Sequence, residues 1–258
     1  MKPNSDHYSK EQAAHDLAWL MDMGADEIVS EVAIDRFALS AERVAPPAAP
    51  PKLPPPPAPA IRSSVNTIQL AETCETVDAL IAALNHLEGS ALRKSASNLC
   101  FIRHVPGSQV MVIGDKPGKD EDIAGAVFAS KNELLLTRML AAIGIAIDEV
   151  TLANFIPWRP PGNRAVTEAE VQQSLPFIRQ AIHLVKPKLI LALGQLPANR
   201  LVNSDLPLTK LRGTWATFSD DIAIMPTLHP EFLLKQPGQK KFAWRDLLAF
   251  KERLNDVR

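Results

Sequence analysis

From residue 110 onwards, short apolar runs alternate with segments of helical periodicity, and this alternation limits the possible folds more than any other feature. The strand-length runs cover 110–113, 150–155, 189–193 and 222–225. The helix-patterned segments between them cover 133–143, 168–185 and 196–202, and further ones lie at 76–87 and 243–254. Strands that alternate with helices form a mostly parallel sheet with helices on both faces. We therefore predict a three-layer α/β/α sandwich around a central, mostly parallel, four-stranded sheet.

The N-terminal third has a different organisation. Residues 10–31 have the spacing of an amphipathic helix, with Leu17, Leu20 and Met21 on one face. A tract of proline and alanine follows at 45–59, where neither helix nor sheet can be sustained, so an extended linker is expected. The predicted organisation is a helical extension at 1–44, a linker at 45–63 and one folded domain at 64–258.

Composition restricts the class of protein only weakly. A net charge of -1 and a pI near 6.6 give no overall attraction to nucleic acid or to anionic membranes, so any contact with a polyanion must come from a local basic surface. The two cysteines, Cys74 and Cys100, are too few for a disulfide framework, which favours a reducing compartment. No signal peptide is recognisable, and no apolar run approaches the roughly 18 residues of a membrane span. A cytoplasmic protein without membrane contact is expected.

Four residues of chemical interest directly follow or end the apolar runs: Asp115, Asn154, Gly194 and His229. Parallel strands end at one edge of a sheet, where open α/β sheets bind their ligands. A carboxylate can orient water or stabilise a cation, an amide can recognise the edge of a base, and an imidazole can stabilise an oxyanion. Each residue also has a purely structural alternative, because Asp115 can cap a helix, Asn154 can cap a turn and His229 can hold a loop.

Three longer segments contain these residues. They read Gly-Asp-Lys-Pro-Gly at 114–118, Leu-Ala-Asn-Phe-Ile-Pro-Trp-Arg-Pro-Pro-Gly-Asn-Arg at 152–164 and Pro-Thr-Leu-His-Pro-Glu-Phe-Leu-Leu at 226–234. In wording, order and spacing they resemble the motifs of the family 4 type of uracil-DNA glycosylase. The likeness extends from about residue 90 to the C-terminus, and proteobacterial members carry a similar N-terminal helix and proline-rich linker.

The resemblance implies hydrolysis of the N-glycosidic bond between uracil and DNA, as part of base-excision repair. Asp115 and His229 are then the catalytic residues, because cleavage leaves positive charge on the sugar and negative charge on uracil. The flipped base is held by four residues, with Phe128 as the stacking platform and Asn154 as the reader of its edge. These four are Gly114, Phe128, Asn154 and Gly194.

Contacts with DNA are expected from cations near the strand ends and from the segment after His229. The predicted DNA-binding residues are Lys116, Arg159, Arg164, Arg212, Leu233, Leu234 and Lys235. The leucines, together with Phe232, would enter the minor groove and fill the stack that the base has left. Core packing is the alternative role of Leu233 and Leu234. The expected partner is uracil-containing DNA, bound by a monomer.

The chain departs from the family in two places. Family members typically hold a [4Fe-4S] cluster through four cysteines, but the ligand positions that the resemblance implies carry Ser90, Trp158 and Ser174 here, so neither a cluster nor any other metal or cofactor is expected. In the first motif the family's glutamate is Asp115 and its alanine is Lys116. A carboxylate displaced by one methylene can cost ~100-fold in rate.

Three functional hypotheses therefore stand beside each other. The first is an active uracil-DNA glycosylase, with full or reduced activity. The second is a catalytically weakened relative that binds DNA or uracil-like lesions without turnover. In the third, the N-terminal helix and linker are the main functional element, a docking arm for other repair proteins.

Overall fold

The computed structural model describes residues 10–22, 62–219 and 222–257. The chain divides into two compact units, Met1–Ala58 and Pro59–Arg258. In the first unit, α1 (Lys10–Asp22) is described, and Leu17 and Trp19 are exposed on it. The predicted continuation of this helix to residue 31 and the predicted linker at 45–59 lie outside the described residues. Residues 62 and 63, assigned to the linker from the sequence, instead begin a helix. The other predicted boundaries stay predictions.

In the second unit, the described residues form one sheet of six strands in the order β1-β3-β2-β4-β6-β5. The strands are β1 (Ile102–Arg103), β2 (Val110–Gly114), β3 (Thr151–Asn154), β4 (Leu189–Leu193), β5 (Ala216–Ser219) and β6 (Ile222–Thr227). The central four, β3-β2-β4-β6, are parallel, which confirms the mostly parallel sheet predicted from the sequence. The predicted strand count omitted the antiparallel edges β1 and β5. Neither edge strand has the long apolar run by which the central strands were predicted. Strand β1 has only two residues, and β5 is partly exposed.

Helices connect the strands and close the chain. They are α2 (Arg62–Glu72), α3 (Val77–Asn85), α4 (Ala91–Ser95), α5 (Lys119–Ala124), α6 (Ser130–Ala141), α7 (Glu168–Val185), α8 (Gln195–Val202), α9 (Leu208–Leu211), α10 (Pro230–Lys235) and α11 (Lys240–Val257). Helix α7 begins where the sequence indicates, because Thr167 and Glu170 form a reciprocal capping box. No helix within the described ranges combines the length and apolar composition needed to cross a membrane.

The core lies on both faces of the sheet, because alternate residues of each strand point to opposite sides. In β2, Met111 and Ile113 pack with α3 and α7, whereas Val110 and Val112 pack with α6 and α11. Burial on both faces explains why the central strands are continuous apolar runs. The three-layer α/β/α sandwich predicted from the sequence is thus confirmed.

The parallel register aligns the carboxyl ends of the central strands. Gly114 at the end of β2 lies opposite Asn154 at the end of β3, and Leu193 at the end of β4 lies opposite Thr227 at the end of β6. Residues that directly follow these positions therefore meet at one edge.

Candidate functional site

Asp115 and Asn154 lie side by side because the pairing of β2 with β3 continues past the strand ends. Phe155 donates its N–H to the carbonyl of Gly114 (2.9 Å), and Ile156 donates to the carbonyl of Asp115 (3.0 Å). Gly114, which has no side chain, precedes Asp115 and lies opposite Asn154. A Cβ at this position would lie 2.7 Å from Asn154 Oδ1 and 2.9 Å from Phe128 Cζ, which is closer than a side chain can be accommodated.

Gly194 brings the other half of the site to Asp115. Its N–H donates to the carbonyl of Thr227 (3.0 Å), and its φ of +102° is a conformation that favours glycine. A Cβ on Gly194 would lie 3.7 Å from Asp115 Oδ2 and 3.8 Å from His229 Cβ. The structure therefore places together all four residues that the sequence predicted at the strand ends.

The buried amide of Asn154 has a fixed orientation. Its Nδ2 donates to the carbonyls of Cys100 (3.0 Å) and Val127 (2.9 Å), so both amide hydrogens are used. Two carbonyl partners require the NH₂ group on that side, and Oδ1 consequently faces Gly114. Among the described residues no hydrogen bond is made to Oδ1. Asn154 can therefore accept a hydrogen bond from a ligand.

Phe128 lies beside this amide and is buried. Its ring stacks on the imidazole of His229, with 5.8 Å between ring centroids and 28° between the planes. The Phe128 ring is thus next to both Gly114 and His229.

His229 is held as a neutral imidazole with its proton on Nε2. The backbone N–H of Glu231 donates to Nδ1 (3.2 Å), so Nδ1 carries a lone pair rather than a proton. Burial lowers the pKa of His229 to about 4. The Nε2 atom is buried and has no hydrogen-bond partner within the described ranges. An unpaired buried donor is costly, and a ligand oxygen that accepts from it would remove that cost.

Burial has the opposite effect on the charge of Asp115. Burial, opposed by the positive charge of Lys116 and assisted by the negative charge of Glu231, raises the pKa of this carboxyl to about 6. A carboxylate with a pKa close to neutrality is a suitable general base, because it both accepts a proton readily and is ionised at pH 7.

Two cavities meet at Asp115, Lys116 and Gln195. One, of about 390 Å³, is lined also by Gly194, Leu208, Thr209, Leu228, His229, Glu231, Phe232 and Lys235. The other, of about 360 Å³, extends towards α8 and Arg200. Asn154 and Phe128 line neither of these two. A third cavity, of about 430 Å³, lies at the opposite edge of the sheet beside Val110 and Val150, away from the predicted site residues.

Three of the cations predicted to contact DNA lie on two neighbouring loops, Lys116 between β2 and α5, and Arg159 and Arg164 between β3 and α7. Lys116 Nζ donates to the carbonyls of Asn163 (3.2 Å) and Arg164 (2.5 Å). Arg159 donates to Asn163 Oδ1 (2.5 Å) and lies 3.9 Å from the Asp122 carboxylate. Arg164 forms a bidentate pair with Glu170 and remains partly exposed.

The prediction that Arg212 contacts DNA as a surface cation requires a correction. Its side chain is only 18% exposed, and Nη2 donates to Asp246 Oδ1 and to the carbonyl of Phe242, each at 2.5 Å. Asp246 also accepts from Thr227 Oγ1 (2.6 Å) at the end of β6. Arg212 thus joins α11 to the strand that carries His229, which is a structural role.

Leu233 also requires a correction. It is 1% exposed and packs in the core against α6 and α11, as in the alternative considered for it. Leu234 is 38% exposed and Phe232 is 42% exposed, so these two form the apolar surface of α10. Lys235 is exposed at the end of the same helix. An apolar contact with DNA from α10 therefore falls to Phe232 and Leu234.

Glu231 and Gln195 line the cavity of about 390 Å³, but neither was predicted from the sequence as a site residue. A site role for Glu231 could have been predicted from the sequence, because Glu231 is acidic and lies only two positions after the candidate catalytic His229, in the first turn of the same helix. Gln195 follows Gly194 directly. Its place next to a strand end could be predicted from the sequence, but its contact with both cavities depends on how α8 packs.

The residues present do not fit an iron-sulfur cluster. Ser90 caps α4, Ser174 donates to the carbonyl of Glu170 (2.8 Å), and Trp158 packs in the core. Both cysteines are buried, and burial together with Asp122 and Glu121 raises the pKa of the Cys100 thiol to about 12, which opposes the thiolate form. Within the described residues no group of three or more His, Cys, Asp or Glu could hold a metal ion.

Comparison with known proteins agrees with this geometry. The family model of the uracil DNA glycosylase superfamily matches residues 102–248. The type-4 uracil-DNA glycosylase of Saccharolobus solfataricus is 32% identical over 164 residues, which is 58% of this chain and 76% of that protein. The type-4 uracil-DNA glycosylase of Sulfurisphaera tokodaii is 30% identical over 155 residues, covering 57% and 70%. That of Thermotoga maritima is 31% identical over 129 residues, covering 50% and 67%.

Proposed function

Because this chain belongs to the uracil-DNA glycosylase superfamily, we propose that it removes uracil from DNA by hydrolysing the N-glycosidic bond. The observation that carries this proposal is the neutral His229 beside Asp115, whose buried Nε2 has no hydrogen-bond partner among the residues that the structure describes. A neutral donor that is already in position stabilises a leaving oxyanion without the cost of reorganising solvent. The names of the relatives support the same reaction.

The proposed reaction uses both groups. The bond between the sugar C1′ and the uracil N1 breaks, and uracil departs with the electron pair as an anion. His229 Nε2–H donates a hydrogen bond to the uracil oxygen on which that charge accumulates. Water adds to C1′, and its proton passes to the Asp115 carboxylate. When this proton and the uracil anion have equilibrated with solvent, the products are free uracil and an abasic site.

Asn154 and Phe128 provide recognition of the base. The fixed Oδ1 of Asn154 accepts the N3–H of uracil, whereas cytosine presents an acceptor at N3 and is disfavoured. The flipped base stacks on Phe128. Since Phe128 and His229 are in contact and neither Phe128 nor Asn154 lines the two cavities at Asp115, entry of the base requires these two rings to separate.

The bound DNA is held by exposed groups around the cavities. Lys116, Arg159, Arg164 and Lys235 contact phosphates, and Phe232 and Leu234 enter the minor groove. The enzyme acts as a cytoplasmic monomer and contains no iron-sulfur cluster. Visible absorption or stoichiometric iron in the purified protein would contradict the last point.

A direct assay tests the reaction. Purified protein in excess is incubated with labelled single- and double-stranded DNA containing one uracil, and abasic sites are then cleaved with alkali. We expect strand cleavage that requires uracil and is lost in an Asn154→Ala/His229→Ala double variant. Equal cleavage by the wild type and this variant would exclude the proposed enzyme.

The alternative is a protein that binds uracil-containing DNA without turnover. Two observations favour it: the carboxylate is Asp115 rather than the longer glutamate, and the recognition residues Asn154 and Phe128 line neither cavity at Asp115. The same assay separates the two functions, because a binding protein retains the DNA in a mobility-shift experiment and yields no abasic site.

The N-terminal extension is proposed to dock other repair proteins rather than to take part in catalysis. Deletion of residues 1–60 is then expected to leave the single-turnover rate unchanged and to abolish capture of repair partners. Unchanged capture by the truncated protein would remove the docking hypothesis.

A further inference from the structure

Glu231 places a second carboxylate in the cavity that contains Asp115 and His229. It occupies the first turn of α10, two residues after His229 and directly after Pro230. Its side chain lines the same cavity of about 390 Å³ as the two proposed catalytic residues. The excision reaction as described above gives this carboxylate no task.

The surroundings of Glu231 keep it ionised and in place. Lys235 Nζ donates to Glu231 Oε1 (2.5 Å) one helical turn later, and this hydrogen bond is the main reason that the pKa of Glu231 is lowered. Lys116 and His229 lower it further. At the same time the backbone N–H of Glu231 fixes Nδ1 of His229, so that the position of the residue is tied to the imidazole.

We propose that Glu231 is a further functional residue of the excision site, whose fixed negative charge stabilises the positive sugar while Asp115 takes the proton from water. This inference rests on the proposed glycosylase activity. In this proposal, one carboxylate stabilises the positive sugar and another accepts the proton from water, instead of one residue performing both tasks.

The physical reason for two separate roles is that the two carboxyl groups differ in pKa. Burial is the main cause of the raised pKa of Asp115; Lys116 partly opposes it, and the negative charge of Glu231 adds to it. The hydrogen bond from Lys235 is the main cause of the lowered pKa of Glu231. The shorter side chain of Asp115 reaches less far into the cavity than a glutamate would, which leaves room for a second group to face the sugar.

A simpler role for Glu231 is structural. Acidic residues are favourable in the first turn of a helix, and the pair with Lys235 has the common i, i+4 spacing. If this were the whole role, the loss of either partner of the ion pair would have the same effect. Glu231→Gln and Lys235→Gln are therefore a matched pair, because each breaks the ion pair but only the first removes the carboxylate.

The experiment measures single-turnover excision from pH 4.5 to 8 with saturating enzyme, so that weaker DNA binding does not enter. In the wild type the rate rises with pH as Asp115 ionises. The charged groups that face Asp115 are Lys116, Glu231, Lys235 and, across the second cavity, Arg200 and Asp205, and the titratable but neutral His229 faces it as well. We expect Glu231→Gln to lower the plateau rate about tenfold and to move the acid limb down by about half a pH unit.

Lys235→Gln is expected to weaken DNA binding without moving the acid limb down, because the charge of Glu231 then faces Asp115 unshielded. Equal behaviour of the two variants, or a wild-type plateau and acid limb in Glu231→Gln, would overturn the inference. Thermal melting of both variants verifies that each is folded.

A second measurement does not require turnover. The carboxyl ¹³C signal of Asp115, assigned by its loss in Asp115→Asn, is titrated in the wild type and in Glu231→Gln. A lower midpoint in the variant supports the coupling, and an unchanged midpoint contradicts it. If no uracil is excised but the midpoint falls, the proposed function fails while the electrostatic coupling of the two carboxylates stands.

Discussion

At the scale of single residues, the same burial moves Asp115 and His229 towards their neutral forms. It raises the pKa of Asp115 to about 6 and lowers that of His229 to about 4. Above about pH 6, and therefore at pH 7, the site offers a mostly ionised acceptor of protons and a neutral donor of a hydrogen bond. Burial thus prepares both groups, and it does so at the expense of fold stability.

The stability cost at Asp115 gives a prediction with a defined sign. The folded state holds the Asp115 proton more tightly than the unfolded state, so the folded protein loses stability as pH rises from about 4 to about 6. Asp115→Asn removes this loss. We expect it to raise the free energy of unfolding at pH 7 by about 2 kcal/mol, with the gain shrinking towards zero at pH 4, and to abolish excision.

Thermal or urea unfolding at pH 4 and pH 7 measures this effect. Asp120→Asn, the same substitution at an exposed position of α5, is the control: it should leave the rate unchanged and lower the free energy of unfolding at pH 7 by at most about 1 kcal/mol, which is opposite in sign to the effect of Asp115→Asn. Equal stabilisation of Asp115→Asn at both pH values would show that burial of the charge is not its cause.

At the scale of elements, the connection between α5 and α6 is held by one buried carboxylate. Glu121 accepts hydrogen bonds from the N–H of Gly118 (3.1 Å), the N–H of Ala129 (3.3 Å) and Asn132 Nδ2 (3.0 Å). Gly118 follows the Asp115 loop, and Ala129 follows Phe128. Glu121 therefore connects the proposed water-activating loop to the stacking platform.

Glu121→Ala is expected to affect both folding and substrate binding. It leaves three donors without their partner, and we expect a loss of about 2–4 kcal/mol in the free energy of unfolding. Because Phe128 is then less firmly positioned, KM should rise more than kcat falls. Chemical denaturation and steady-state kinetics measure the two effects, and Glu88→Ala at an exposed position is the control. A rise in KM without any loss of stability would contradict the connecting role of Glu121.

At the scale of the whole molecule, a net charge of -1 coexists with cationic side chains in the lining of the two strand-end cavities, Lys116, Lys235 and Arg200. DNA binding is then a local electrostatic effect and should still release counterions. If the four proposed cations each contact one phosphate, affinity for double-stranded DNA falls about 150-fold between 50 and 200 mM salt. Fluorescence anisotropy with a uracil-containing duplex measures this dependence.

Substitutions locate the contacts. Arg159→Gln and Lys235→Gln should each reduce the slope of log affinity against log salt by about one. Lys186→Gln, at the opposite edge of the sheet just before β4, should leave it unchanged. A slope near zero in the wild type would exclude the proposed phosphate contacts.

The sequence by itself determined the alternating α/β order, the parallel sheet and the meeting of Asp115, Asn154, Gly194 and His229, because strand-length apolar runs and their end points are local signals. The tertiary structure decided which groups are buried and what they contact. Arg212 became a structural residue through Asp246 and Phe242, some 30 residues later in the chain, and Leu233 entered the core while Leu234 did not. The lack of a partner for His229 Nε2 within the described part of the chain and the cavity shared by Glu231 and Asp115 likewise depend on distant segments packing together. Burial depends on neighbours that no local pattern specifies, and for this reason the positions of the site residues were predictable while their protonation and partners were not.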